Sequence, residues 1–128
     1  MKRFLLFFLF LFSAFFLHAQ QINWISPNNG YQGQNLSVTI SGTNINFGLF
    51  SQVSSISSFR FSQFSGINMF YGIPTSTSGN SLYGDVHIQS AQNTGWYDLE
   101  VWDYSSNQWI LLNNVFEVIF GTSVIDEV

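Results

Sequence analysis

Apolar and polar residues alternate along much of the chain after residue 20, and no stretch there has apolar residues at the spacing of an amphipathic helix. Leu36, Val38 and Ile40, for example, alternate with serine and threonine. Strict alternation is typical of a β-strand that buries one face. The pattern therefore predicts strands throughout and no long helix.

The most regular alternation runs from residue 96 to residue 102. Tyr97, Leu99 and Val101 share one face of this segment, whereas the other face carries Asp98 and Glu100. Burying two unpaired carboxylates would cost several kcal/mol, so the strand has only one favourable orientation. We predict that Tyr97, Leu99 and Val101 face the core.

Polar turns separate the predicted strands. The strands are expected at 22–26, 36–41, 67–71, 82–88, 96–102, 109–112 and 115–120, with less regular ones at 47–50 and 59–61, and with turns or loops at 27–30, 51–58, 75–81, 90–95 and 105–107. Seven to eight short strands joined in this way predict an all-β fold, an immunoglobulin-like β-sandwich of antiparallel strands. A barrel is the structural alternative.

The first 19 residues have the features of a signal peptide. Lys2 and Arg3 precede an apolar run from residue 4 to residue 17, and Ala19 is a small residue suited to signal peptidase. The run is too short to span a bilayer, which takes about 20 residues. We therefore predict a signal peptide at 1–19, one domain at 20–120 and a short tail at 121–128, in a protein that is secreted or held in the cell envelope.

Charge and cysteine content exclude several classes of protein. Beyond residue 19, Arg60 is the only strong base among seven carboxylates, for a formal net charge of −6. Nucleic acid and anionic membranes are unlikely partners of such a chain, because both are bound through several basic side chains. The chain has no cysteine, which excludes disulfides, thiolate zinc sites and cysteine nucleophiles.

Two segments resemble a known family. Residues 25–47 read ISPNNGYQGQNLSVTISGTNINF, and residues 91–101 read AQNTGWYDLEV. The first is similar to the opening of an IPT/TIG domain, and the second to the penultimate strand of that immunoglobulin-like family. The resemblance implies an extracellular, usually non-catalytic module of the kind found in bacterial envelope and secreted proteins. Tyr97, at the start of a late strand, is then a candidate for the tyrosine-corner role.

An aromatic face is the main candidate site. If the hairpin after Trp102 pairs Tyr104 with Trp109, these three rings and Leu111 share the outward face that Trp96, Asp98 and Glu100 continue. The predicted ligand-binding residues are Trp96, Asp98, Glu100, Trp102, Tyr104 and Trp109. Such rings beside carboxylates stack against sugars or anchor a protein interface, and the alternative is that they only pack on one another.

Metal binding and catalysis have weak support. Asp98, Glu100 and Asp103 offer oxygens for calcium, but carboxylates in line on a strand are poorly arranged for it, and a solvated acidic face is expected. His87 and Asp85 share a strand face without a Gly-x-Ser-x-Gly nucleophile elbow. We expect no metal, no cofactor and no enzymatic activity.

Arg60 lies between two phenylalanines and is expected to make a cation–π contact or a salt bridge. Taken together, the sequence predicts an exported, non-catalytic module for protein binding or adhesion at the cell surface. The alternatives are a carbohydrate-binding module that uses the aromatic face, and a structural spacer of a larger surface protein. The expected partner is a protein or a glycan, with no membrane insertion once the signal peptide is cleaved.

Overall fold

The computed structural model describes residues 19–48 and 58–121, and within them every regular element is a strand. The eight strands are β1 (Gln21–Ser26), β2 (Asn29–Tyr31), β3 (Asn35–Thr43), β4 (Phe59–Gln63), β5 (Asn68–Ser78), β6 (Ser81–His87), β7 (Gly95–Asp103) and β8 (Gln108–Ile119). The prediction of an all-β fold with seven to eight strands is confirmed for this part of the chain. The predicted signal peptide, up to residue 18, and the tail from residue 122 lie outside the described residues.

The strands form one curled sheet in the order β1-β3-β6-β5-β4-β7-β8-β2. The long strand β5 belongs to both halves of this sheet. Its first residues, from Asn68 to Tyr71, pair with β4, and its later residues, from Gly72 to Ser78, pair with β6. β5 therefore connects the two halves of the curled sheet.

The two strands at the edges of the sheet, β1 and β2, follow each other in the chain. β1 pairs antiparallel with β3, whereas β2 pairs parallel with β8. The prediction that every strand is antiparallel is therefore wrong for β2. Residues 27–30 were predicted as a turn, but Asn29 and Gly30 belong to β2, because their backbone pairs with Glu117 and Val118.

The core lies between the two halves of the curled sheet. Among the described residues it contains 17 buried hydrophobic ones, which come from seven of the eight strands and from the segments that follow β3 and β6. Tyr97, Leu99 and Val101 are fully buried, which confirms their predicted orientation. An aromatic group occupies one end of the core, where the rings of Phe61 and Phe70 stack with centroids 4.6 Å apart. The fold thus depends on apolar packing in a chain without disulfides.

Phe59 fills the corner where β5 changes partners. Its ring is fully buried and lies against Gly72 on β5 and Gly84 on β6. A Cβ at residue 72 would lie 1.9 Å from two atoms of the ring, and one at residue 84 would lie 2.5 Å from it. Both positions therefore require glycine while the ring stays where it is.

The hydroxyl of Tyr97, near the start of β7, is held by two hydrogen bonds. It donates a hydrogen bond to the carbonyl oxygen of Asn93 (2.7 Å) and accepts one from Nε2 of Gln92 (3.0 Å). Burial raises the pKa of Tyr97, an effect that the Gln92 hydrogen bond only partly offsets. The hydrogen bond expected of a tyrosine corner, from the hydroxyl to backbone a few residues upstream, is present.

Three other local predictions differ from the structure. Residues 75–81 were expected to form a loop, but β5 continues to Ser78 because β6 supplies its hydrogen-bonding partners. The strands expected at 109–112 and 115–120 are one continuous strand, β8. Of the strand expected at 47–50, residues 47 and 48 are in no strand, and residues 49 and 50 lie outside the described part.

Candidate functional site

The outward face of β4, β7 and β8 carries most of the predicted ligand-binding residues. The register of the β7–β8 hairpin places Trp109 opposite Trp102, and not opposite Tyr104 as predicted. The strands run one pair further, to Asp103 and Gln108, so that Tyr104 lies in the turn. Tyr104 is therefore separated from the row of outward side chains on β7.

Four residues on this face form a connected group, which we call the Arg60 cluster: Arg60, Glu100, Trp102 and Trp109. The guanidinium of Arg60 lies 3.8 Å from the centre of the Trp109 ring and donates a hydrogen bond to Oε1 of Glu100 (3.1 Å). The Trp102 and Trp109 rings meet edge to face, with centroids 5.3 Å apart. Both roles expected for Arg60, the cation–π contact and the salt bridge, are confirmed.

Asp103 is fully buried, so its predicted place on a solvated acidic face is wrong. Its carboxylate accepts five hydrogen bonds, from the backbone N–H groups of Asn46, Ser105 and Ser106, from the Ser106 hydroxyl and from Nε2 of Gln20. Burial by itself would raise the pKa of Asp103, but the hydrogen bonds from Ser106, Asn46 and Ser105 outweigh it, and the pKa is lowered. Asp103 therefore joins three segments of the chain as a charged structural residue.

Large apolar side chains are exposed at the other end of the same face. Phe64 and Ile67, in the turn between β4 and β5, are 68% and 81% exposed, and Trp96 at the start of β7 is 47% exposed. Phe64 and Ser65 both have positive φ, at 55° and 57°. Bulky residues rarely adopt this conformation, which costs about 1–3 kcal/mol and is concentrated at functional sites.

A groove of about 280 Å³ lies between the turn and β7. We call it the hairpin groove, and its walls include Gln63, Phe64, Thr94, Trp96, Asp98 and Asn114. Two aromatic side chains and one carboxylate thus line the same concave surface. This combination can hold a ligand that has both an apolar part and a hydrogen-bonding or cationic part.

The base of the hairpin groove is held by Gln63, which is buried. Its Nε2 donates hydrogen bonds to the carbonyl oxygens of Thr94 (3.1 Å) and Trp96 (3.4 Å), and its Oε1 accepts one from Asn68 (2.9 Å). On the opposite wall, Oδ1 of Asp98 accepts a hydrogen bond from the backbone N–H of Asn114 (2.8 Å). Gln63 therefore fixes the turn and the start of β7 relative to each other.

The predicted site residues divide into three places. Trp96 and Asp98 line the hairpin groove, Glu100, Trp102 and Trp109 belong to the Arg60 cluster, and Tyr104 lies in the β7–β8 turn. Phe64 and Ile67 were not predicted as site residues. Ile67 was instead assigned to a strand, although the neighbouring Ser65-Gly66 pair is a turn signal that places both residues at an exposed tip.

His87 and Asp85 lie on the other half of the sheet, where their side chains contact different polar residues. Nδ1 of His87 lies 2.5 Å from Oδ1 of Asn35, and Asp85 accepts a hydrogen bond from the Ser37 hydroxyl (3.0 Å). Within residues 19–48 and 58–121, no group of three or more histidines or carboxylates is placed to hold a metal ion. In the same residues, no helix has the length and apolar character needed to cross a membrane.

Comparison of the chain with protein-family models gives no match, and comparison with curated proteins gives none either.

Proposed function

We propose that the chain is an exported, non-catalytic immunoglobulin-like β-sandwich module of the IPT/TIG type that binds a protein at the cell surface. Three features support the proposed fold. β5 changes partners between two sheet halves, the first strands are divided between opposite edges, and Tyr97 makes the tyrosine-corner hydrogen bond. These features are additional to the resemblance of residues 25–47 and 91–101 to the family.

The observation that carries the proposed function is the exposed apolar group formed by Phe64, Ile67 and Trp96. Protein interfaces are anchored by aromatic and aliphatic side chains that leave water on binding, and polar groups surround them. Here Asp98, together with the amide of Asn114, supplies the polar surroundings. Burying a fully exposed large hydrophobic side chain contributes about 1.5–3 kcal/mol, before the costs of association. Phe64, Ile67 and Trp96 are 68%, 81% and 47% exposed, so covering each of them would contribute only the corresponding part of that amount.

Carbohydrate binding through Trp102 and Trp109 has less support from the geometry. Sugar rings stack on a free aromatic face, but the guanidinium of Arg60 covers one face of Trp109. The Trp102 and Trp109 indoles also contact each other edge to face. Both rings are half-buried. The contacts of the Arg60 cluster are therefore those of a structural group, and the exposed end of the face is the better candidate for binding.

The test uses the exported chain, with its N-terminus read by mass spectrometry, immobilised and exposed to surface-labelled envelope proteins. The variant is the double substitution Phe64→Ser, Ile67→Ser, and the matched control is Ile73→Ser, at a β5 residue that is 67% exposed on the other half of the sheet. At exposed positions such as Ile67 and Ile73, substitutions usually change stability by less than about 0.5 kcal/mol. Serine at residue 64 has to adopt the same positive φ as Phe64, so thermal unfolding of each variant checks that its fold is kept.

We expect retained proteins that the double variant loses and the Ile73→Ser control keeps. A glycan array run in parallel separates the alternatives. Glycan binding that depends on Trp102 and Trp109 would favour the carbohydrate-binding module. The absence of any retained protein or glycan would favour the structural spacer and would contradict the proposal.

A further inference from the structure

The Arg60 cluster shows how this face holds a cation. An indole on β8 and a carboxylate on β7 bracket one guanidinium, with Trp109 giving the cation–π contact and Glu100 the ion pair. The three side chains come from adjacent strands, so the arrangement depends only on the pairing of β4, β7 and β8. An indole and a carboxylate together are therefore a combination of groups that recognises a basic side chain on this face.

The same combination occurs at the other end of β7 and β8. Trp96 pairs directly with Glu117 across these strands, and both side chains point outward because Tyr97, Phe116 and Val118 point into the core. Residues paired in this way have Cβ atoms about 4.5–5.5 Å apart. Asp98 adds a second carboxylate in the hairpin groove beside Trp96. One indole and two carboxylates are thus gathered on one outward surface.

No lysine or arginine of the described residues is bound by this second group. Arg60 is the only lysine or arginine within residues 19–48 and 58–121, and it is engaged in its own cluster. The other two basic residues of the chain, Lys2 and Arg3, belong to the predicted signal peptide. If the predicted signal peptide is removed, a second copy of the chain likewise offers no further lysine or arginine in residues 20–128. We therefore expect the complementary lysine or arginine to come from a different protein.

We propose that the hairpin groove, together with Glu117, binds a lysine or arginine side chain of the partner protein. This inference rests on the proposed function and names the chemistry of the partner: a basic residue flanked by apolar ones. The cation lies against Trp96 between the carboxylates of Asp98 and Glu117, while Phe64 and Ile67 cover the apolar neighbours. Gln63 positions the groove through its hydrogen bonds to Thr94 and Trp96.

The test measures binding of a defined peptide at a single indole. The probe is acetyl-Gly-Leu-Arg-Leu-Gly-amide, and its neutral counterpart has Gln in place of Arg. Indole N–H signals of the exported, isotope-labelled chain are followed by NMR, with the Trp96 signal assigned from a Trp96→Phe variant. Trp24, which is 48% exposed on β1, is a matched internal control for Trp96, which is 47% exposed.

We expect the Arg peptide to shift the Trp96 signal saturably while the Trp24 signal stays unchanged. The Gln peptide should bind roughly 2- to 30-fold more weakly, the range that corresponds to cation–π contacts. The double variant Asp98→Asn, Glu117→Gln keeps Trp96 and should reduce this preference by the part that the two carboxylates supply. About 1 M salt, which shortens the screening length to about 3 Å, should weaken the same part.

Equal binding of the two peptides, or a preference for Arg that the Asp98→Asn, Glu117→Gln substitutions do not reduce at all, would overturn the cation site. The proposed function is judged separately. Retention of envelope proteins that depends on Phe64 and Ile67 but is unaffected by the carboxylate variant would reject the cation site alone. If neither the envelope proteins nor the Arg peptide bind, both proposals are rejected.

Discussion

The substitution Gly72→Ala tests the packing that lets β5 pass from one half of the sheet to the other. The added Cβ would lie 1.9 Å from Cε2 and Cζ of Phe59, whereas ordinary van der Waals contact begins at 3.4 Å. The ring would have to move by roughly 1.5 Å to restore that contact. It has little room, because Phe59 is fully buried and also meets Gly84 and Phe61.

Overpacking of a well-filled core costs about 1–3 kcal/mol, and sometimes more. Because the ring is confined on two sides, we expect Gly72→Ala to cost about 3 kcal/mol. A domain of this size loses about 4–8 °C in Tm for each kcal/mol. The expected fall in Tm is therefore about 12–24 °C, a large part of the stability of a single domain.

The assay is thermal and urea unfolding of the chain without its predicted signal peptide, followed by circular dichroism, in a double-mutant cycle with Phe59→Leu. The shorter leucine side chain vacates the space that the alanine methyl would enter. We therefore expect Gly72→Ala to cost less than about 1 kcal/mol in the Phe59→Leu background, even though Phe59→Leu is itself destabilising.

Gly79→Ala is the matched control for this cycle. Gly79 has φ of +57°, and no atom of residues 19–48 or 58–121 lies within 4 Å of an added Cβ, so its substitution is expected to carry only a backbone cost. That cost should be the same with Phe59 and with leucine at residue 59. If Gly72→Ala also costs the same in both backgrounds, the ring is not what excludes a side chain at residue 72, and the steric argument fails.

Three further predictions concern polar groups that the fold encloses. Asp103→Asn should lower the free energy of unfolding by about 2–4 kcal/mol, because an amide cannot accept five hydrogen bonds. The pKa of Asp103 is lowered in the fold, so the ionised carboxylate stabilises the protein above the pKa of the unfolded state, and this stabilisation is lost as pH falls through the pKa of the folded state. Urea midpoints measured down to about pH 2 should show the loss. An Asp103→Asn variant whose stability falls in acid in the same way as the wild type would contradict the prediction. Tyr97→Phe should lower the free energy of unfolding by about 1–2 kcal/mol, because it removes the hydroxyl hydrogen bonds. The wild-type chain should lose stability above about pH 10, because Tyr97 ionises there in the unfolded state while its raised pKa opposes ionisation in the folded state. If the Tyr97→Phe variant lost stability in alkali in the same way, Tyr97 would not be the titrating group. Arg60→Gln should cost about 1–2 kcal/mol and alter the near-UV circular dichroism of the Trp102–Trp109 pair, and an unchanged spectrum would show that Arg60 does not order these rings.

The strand pattern was predictable wherever polarity differed between the two faces. In β7, two carboxylates excluded one orientation, and the structure buries Tyr97, Leu99 and Val101 accordingly. The later part of β5 offered no such contrast, because Thr75 to Ser78 are uniformly polar. These residues form a strand because β6 pairs with them, and that pairing is a tertiary effect which local sequence does not encode.

The candidate site was predictable only in part. Trp96 and Asp98 were correctly placed on the outward face, but the turn after Asp103 was assigned the wrong register, which put Tyr104 opposite Trp109. Asp103 follows Val101 by two residues, so the alternation along β7 places both side chains on the inward face. This alternation would have indicated an inward carboxylate that needs hydrogen-bond donors. Ser105 and Ser106 supply some of those donors, whereas Gln20 and Asn46 are distant in sequence and could be found only from the fold.

The pairing of β2 with β8 also limits when folding can be completed during synthesis. Beside this pair, the hydrogen bond from the N–H of Gly121 to Oε1 of Gln32 joins residues 89 positions apart. During synthesis, β2 has no partner until β8 emerges, and until then the edge of β7 is open to other chains. Folding therefore has to wait for the C-terminal strand, and a chain that stops before β8 would leave two unpaired edges, where aggregation begins.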